Sequence, residues 1–180
     1  MIEKSIVEAV VSEMRNYFSE NVGCFSNTRD IFSAKLQSYT LETKKYLEAA
    51  VIGEIGNNSF DHNFGYTTAY PKGAYCNLFY KQKYTVLADF GKGIRQSLLL
   101  ILPSITSDVE AIEIAFTKRI SARAPEQRGN GLKFVSETVR KNNWNLFFQS
   151  GSGSCSINKN GVFFNEEEIS VIGCLAIIDF

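Results

Sequence analysis

The stretch YLEAAVIGEIGNNSF, Tyr46 to Phe60, constrains this chain more than any other. It is apolar enough to be buried, yet it carries a carboxylate, Glu54, and two amides at its centre. Two readings fit. Gly56, Asn57, Asn58 and Ser59 are good turn formers, and asparagine tolerates the left-handed backbone region. Alternatively the stretch continues as helix. Leu47, Ala50, Val51, Glu54, Asn58 and Asp61 then form one stripe at about 100° per residue. Ala49, Ile52, Gly53, Gly56 and Phe60 lie toward the other side. A helix apolar on both sides belongs between layers, so the fold has to supply them. Glu54 and Asn58, four residues apart, then share a face. Burying a carboxylate costs several kcal/mol unless it is paired or hydrogen-bonded. Gly53 and Gly56 each cost about 1 kcal/mol against alanine in a helix. Either the polar pair is satisfied inside a core network, or close approach to a ligand or sheet explains it.

The rest of the chain supplies layers. At 180 residues, 44% hydrophobic and 13% aromatic, it suits one domain over residues 1–180 with one core rather than a disordered segment. Ile2, Ile6, Val7, Val10, Val11, Met14, Tyr17 and Phe18 recur at helical spacing, which predicts an amphipathic N-terminal helix. SENVGCFSNTRD breaks the pattern and reads as loop, so residues 1–40 are expected to be helix and loop. A second helical run extends from about Leu41 to His62. Two strands, AYCNLFYK and YTVLADF, follow on either side of a short break. SDVEAIEIAF reads as a short helix capped by Ser107 or Asp108, and LKFVSETVRKN as an amphipathic one. Further strands are expected near WNLFFQS, GVFF and VIGCLAIIDF. This order of elements predicts an α/β sandwich, with helices on one face of a mixed, mainly antiparallel sheet.

Charge and cysteines narrow the function classes. Nineteen basic residues balance nineteen acidic ones, which gives no electrostatic case for nucleic acid or an anionic membrane. The start alternates charged with apolar residues instead of running apolar like a signal peptide, and no segment approaches the ~20 apolar residues that span a bilayer. Cys24, Cys76, Cys155 and Cys174 form no CxxC pair, so a zinc site is not expected. A cytoplasmic protein with reduced thiols is the expectation.

Two later stretches bear on Glu54 and Asn58. ADFGKGI puts Asp89 at a strand end, followed by Gly91, Gly93 and Ile94. A strand-end carboxylate beside glycines can accept a hydrogen bond from a planar base amine, and glycine lets the backbone come close. RGNGLKF puts Gly129, Asn130, Gly131 and Leu132 at a helix start. Backbone N–H groups there can cradle phosphate, helped by the helix dipole. Each alone has an ordinary reading, as a turn and as a helix start.

Taken in order, the three stretches resemble the GHKL ATPase superfamily of gyrase, the large heat-shock chaperone, histidine kinases and MutL. ExxxN resembles Glu54 to Asn58, DxGxG resembles Asp89, Gly91 and Gly93, and GxGL resembles Gly129, Gly131 and Leu132. The resemblance implies a Bergerat-type ATP-binding fold and the cofactors ATP and Mg²⁺. Asn58 would be the Mg²⁺ ligand and Asp89 the acceptor for the adenine amino group. Gly91, Gly93 and Ile94 would shape the pocket, and Gly129, Asn130, Gly131 and Leu132 would meet the phosphates. Glu54 would be the general base, and about Arg95 to Arg128 the ATP lid. His62, the only histidine, would trim the site. Lys118 or Arg128 could stand in for a phosphate-contacting lysine that gyrase-like enzymes take from a second domain. The late Gly-Thr of many relatives resembles Gly173-Cys174, with Ser152, Ser154 and Cys155 as other candidates for the threonine.

Slow hydrolysis of Mg-ATP, with lid closure read out by a protein partner, is the expected activity. The rival also comes from resemblance: short anti-sigma-factor-like regulators bind, and sometimes phosphorylate on serine, a small STAS-type partner. The N-terminal helix, if not packed on its own core, could form a homodimer.

Overall fold

The computed structural model describes residues 2–17, 22–61, 73–81, 83–118 and 131–180. The expected N-terminal helix is α1, Lys4–Tyr17. A short 3-10 turn at Val22–Cys24 leads into β1, Phe25–Ser26. Then come α2, Arg29–Thr43, and α3, Tyr46–Asp61. Most of α2 falls where the sequence predicts loop. Its signals are local: Thr28 caps it, accepting from the Ile31 N–H at 3.4 Å, and Asp30 sits in its first turn, where the helix dipole favours an anion. Its C-cap, Lys44, takes the left-handed conformation at φ 59°, which ends one helix and lets α3 begin two residues later.

The stretch Tyr46 to Phe60 is helix throughout, so the turn reading is set aside. Two strands follow, β2 at Ala74–Tyr80 and β3 at Tyr84–Asp89. They pair antiparallel, with Tyr75 opposite Ala88 and Cys76 opposite Leu87. The chain continues through α4, Gly93–Leu99, α5, Asp108–Thr117, and α6, Gly131–Lys141. It ends in a long hairpin of β4, Asn145–Asn158, and β5, Gly161–Asp179. The three expected C-terminal strands are thus two: β4 extends WNLFFQS through GSGSCSIN, and GVFF and VIGCLAIIDF are one strand, β5, joined through NEEEIS.

The sheet order is β1-β2-β3-β5-β4, and every neighbouring pair is antiparallel. An α/β arrangement is therefore observed, with the mixed pairing of the expectation absent among the described strands. Side-chain alternation sorts the sheet into two faces. Leu87, Ala176, Ile178, Leu146 and Phe148 point to a core shared with α2, α3, α4, α5 and α6. Val86, Ala88, Leu175, Ile177 and Phe147 point the other way, onto Val10 and the flanking apolar residues of α1. So helices cover both faces, not one. The reason is legible in β3: all six of its residues are buried, and a strand buried on both sides needs a layer on each. α1, packed on its own sheet, is that layer.

Within the main core α3 lies against α2 and α6 and over β2 and β3. Ala49, Val51, Ile52, Gly53, Ile55, Gly56 and Ser59 are its buried residues. Gly56 is required by packing: a Cβ there would run into the ring of Phe32, itself 1% exposed on α2. The two helices are also tied by the Tyr39 hydroxyl donating to Glu48 Oε2 at 2.6 Å and by an Arg29–Asp61 ion pair.

Candidate functional site

The site is built on one row of the sheet. Asp89 is the last residue of β3, opposite Cys174 on β5, which is in turn opposite Ser150 on β4. Asp89 shares the side-chain parity of Leu87, Cys174 that of Ala176, and Ser150 that of Phe148, so all three face the helix-covered core. Above them the start of α4 and the end of α3 leave a cleft. It opens to solvent. Ile55, Leu87, Ile94, Phe148 and Ala176 make its apolar walls, and Asn58, Ser59, Asp89, Ser97 and Cys174 bring polar atoms to it.

The carboxylate of Asp89 is buried and held on both sides. Oδ1 accepts the Gly91 N–H at 2.7 Å, and Oδ2 accepts the Ser59 hydroxyl at 3.0 Å. The backbone bond exists because Asp89-Phe90-Gly91 turns tightly at the strand end, and the serine bond because α3 runs over β3. Charge-assisted bonds of this kind stabilise the ionised form in a place where an unpaired charge would be costly.

Ser150 knits the far side together. Its hydroxyl accepts the Ile94 N–H at 3.0 Å and donates to the Gly173 carbonyl at 2.8 Å. One side chain thereby fixes the first turn of α4 against β5. Gly93 and Gly173 flank it with φ of 75° and 73°, in the left-handed region. A Cβ on Gly93 would lie 2.7 Å from Ser150 Oγ, and one on Gly173 would collide with the Asp89 carbonyl. Both positions therefore call for glycine on two counts, conformation and space. Burial, then the neighbouring Asp89 charge, push the Cys174 thiol well above its ordinary pKa, so it faces the cleft as a neutral thiol.

The sequence-predicted residues fall into four groups. Asn58, Asp89, Gly93, Ile94 and Cys174 line the one cleft, and Gly91 holds Asp89. Glu54 is not buried; it is solvent-exposed on the outer face of α3, along with Leu47, which is 42% exposed. The expectation of a carboxylate paid for by core partners therefore fails: a helical stripe of Leu, Ala and Val does not reveal which side meets water. Glu54 is placed instead against the start of α6, where a Cβ on Gly131 would run into its Oε2. Leu132 follows on that helix, half-buried against the main core. Lys118 is exposed at the C-terminal cap of α5. His62, Arg128, Gly129 and Asn130 lie outside the described residues.

Two expectations change in detail. The expected lid, about 95 to 128, is largely core up to α5: Leu98, Ile105, Ala111, Ile112, Ile114 and Phe116 are all buried. The apolar stretches there, SLLLILP and AIEIAF, already carried that signal. Of the alternatives for the late threonine, Ser152 N–H donates to Asp108, Ser154 donates to Glu167, and Cys155 is buried opposite Phe164. Only Cys174 among them lines the cleft. Sequence reasoning missed Ser59, Ser97 and Ser150. The first was counted as a turn former; Ser150 stands two residues before the nearest candidate considered and acts only through strand register.

No protein-family model matches the chain, and no curated protein matches it.

Proposed function

We propose that the cleft binds the adenine end of Mg-ATP and that the protein hydrolyses the nucleotide slowly. The observation that carries this reading is the placement of Asp89: a buried, oriented carboxylate at the end of an apolar cleft, where it could accept a hydrogen bond from the amino group of a planar base. The walls Ile55, Leu87, Ile94 and Phe148 suit an aromatic ring. Asn58, half-buried next to Ser59 in the last turns of α3, offers a hard amide oxygen to a cation held mainly by phosphate, as Mg²⁺ commonly is. The start of α6 would receive phosphate, because its first N–H groups and dipole favour an anion. Bound Mg-ATP would supply the scissile phosphoryl group and the charge neutralisation. Glu54, solvent-exposed beside that helix start, would orient and deprotonate the attacking water.

The exposure of Glu54 also favours a second reading. A base open to solvent can serve a hydroxyl presented by another protein, so serine phosphorylation of a small, STAS-like partner uses the same atoms. Isothermal titration with ATP and a non-hydrolysable analogue, with and without Mg²⁺, tests the shared premise. Saturable, Mg²⁺-dependent binding is expected, and its absence from folded protein would remove both readings. Phosphate release from the protein alone, against transfer to an added partner, then separates them.

A further inference from the structure

The sheet edge holds two cysteines that the cleft does not use. β1 pairs with β2 through Phe25 opposite Tyr75 and Ser26 opposite Ala74. Cys24 ends the 3-10 turn one step before Phe25, and that turn contacts β2, where Cys76 follows Tyr75. Phe25 and Tyr75 turn to the α1 side, so Cys76, the next residue of β2, turns toward α2, where it packs on the main core. Lys35 of α2 marks the spot: its ammonium donates to the carbonyls on either side of Cys24, Gly23 and Phe25, both at 2.8 Å. Burial raises the Cys76 thiol to about 12, the adjacent Cys24 adds to the rise, and Lys35 opposes it. Cys76 thus lies close enough to Cys24 and to Lys35 to feel both, and Lys35 grips the backbone on either side of Cys24. Both are free thiols.

We propose that Cys24 and Cys76 form a reversible disulfide across the β1–β2 edge, made by exchange with a low-molecular-weight disulfide such as oxidised glutathione. Opposed residues of the adjoining ladder have Cα atoms about 4.5–5.5 Å apart, and the chain steps from that ladder straight into Cys24 and Cys76, which puts the pair within reach of the about 4.4–6.8 Å that a disulfide requires. Cys24 also touches the α1-side core, so its side chain rotates about the sheet edge to make the bond. Cys24 is the first nucleophile, because the buried Cys76 gives up its proton less readily. The Cys24 thiolate attacks one sulfur of oxidised glutathione, giving a mixed disulfide and one glutathione thiolate. Cys76 then loses its proton to solvent and its sulfur displaces the second glutathione. Two protein thiols are oxidised, and one glutathione disulfide is reduced to two thiols. The other cysteines are not so placed: Cys155 opposes Phe164, and Cys174 opposes Asp89 and Ser150. The clasp would lie one strand from the cleft, since Cys76 pairs with Leu87 in its wall.

The test is peptide mapping of the native protein after exposure to excess oxidised glutathione at mildly alkaline pH, with an acid quench and no reductant. Trypsin releases Cys24 in the peptide 16–29 and Cys76 in 73–81. The expected result is an intact mass lower by two hydrogens, these two peptides covalently joined, and both changes reversed by dithiothreitol. Urea unfolding should then show a higher midpoint for the oxidised form, because the cross-link restricts the unfolded chain. Cys24→Ser and Cys76→Ser should each abolish the joined peptide. A stable glutathione adduct on the parent, a link through Cys155 or Cys174, a link between chains, or unmodified protein would each overturn the proposal.

Discussion

At the scale of single residues, Asp89 decides the nucleotide reading. Its two oxygens are already oriented by Gly91 and Ser59, so a base amine would meet a preset acceptor. Asp89→Asn should weaken adenine-nucleotide binding about 10–150-fold, the worth of a charge-assisted hydrogen bond of about 1.5–3 kcal/mol. Titration of a variant whose unfolding profile is parental checks this, and unchanged affinity would take the base away from Asp89. Glu54→Gln should leave affinity near parental, because Glu54 lies on the outer face of α3 away from the cleft walls, but should cut single-turnover hydrolysis at least about tenfold. Parental turnover would strike Glu54 from the reaction. These two residues also show what the sequence could and could not reveal. Asp89 was legible because its motif is local: a strand end followed by glycines fixes its own geometry. The exposure of Glu54 was not, because a helical stripe has a period but no label for inside and outside. Ser150 was invisible for a different reason. Its partners, Ile94 and Gly173, reach it only through the register of two strands.

At the scale of elements, helix starts and helix contacts carry the measurable energies. Gly56→Ala sets two effects against each other. Alanine gains about 1 kcal/mol of helix propensity, but its methyl meets a Phe32 ring that has nowhere to go, and overpacking costs about 1–3 kcal/mol. With so close an approach the steric cost should win, for a net loss of up to about 2 kcal/mol. Chemical denaturation measures it, and pairing Gly56→Ala with Phe32→Leu should recover part of the loss. A stabilised Gly56→Ala single variant would contradict the α2–α3 packing. The start of α5 predicts a pH effect. Ser107 caps it, and Glu110 reaches back to the Thr106 N–H at 2.8 Å and its hydroxyl at 2.9 Å. Those bonds, the backbone one first, hold the Glu110 carboxyl below its usual pKa. A lowered folded-state pKa means stabilisation that is full above the unfolded value and lost as pH falls through the folded one. Glu110→Gln should therefore melt below the parent at neutral pH, and the gap should close below about pH 4. A gap that persists in acid would assign the effect to shape rather than charge. This cap was readable from SDVE, since it is purely local; α2 escaped notice because its apolar residues alternate with polar ones too irregularly to show one face.

At the scale of the whole molecule, the sheet order separates what is near in sequence from what is near in space. β4 and β5 form a hairpin closed by a two-residue turn at Lys159-Asn160, and β2 and β3 form another. The join between them is β3 to β5, from Asp89 across to Cys174. Hairpins form within microseconds, whereas strands far apart in the chain meet only after a long loop has closed. Each hairpin on its own holds part of the row: Asp89 in one, Cys174 and Ser150 in the other. The cleft is therefore expected to form late in folding, when that non-local pairing closes. A ligand that needs the complete row has nothing to bind in the folding transition state. Saturating nucleotide should then slow unfolding while leaving the refolding rate unchanged, as for any interaction absent from that state. Stopped-flow fluorescence of Trp144, which packs edge-on against Phe180 at 4.8 Å between ring centroids, would follow both directions. Refolding accelerated by the nucleotide would mean that the row closes first and the rest of the sheet condenses around it.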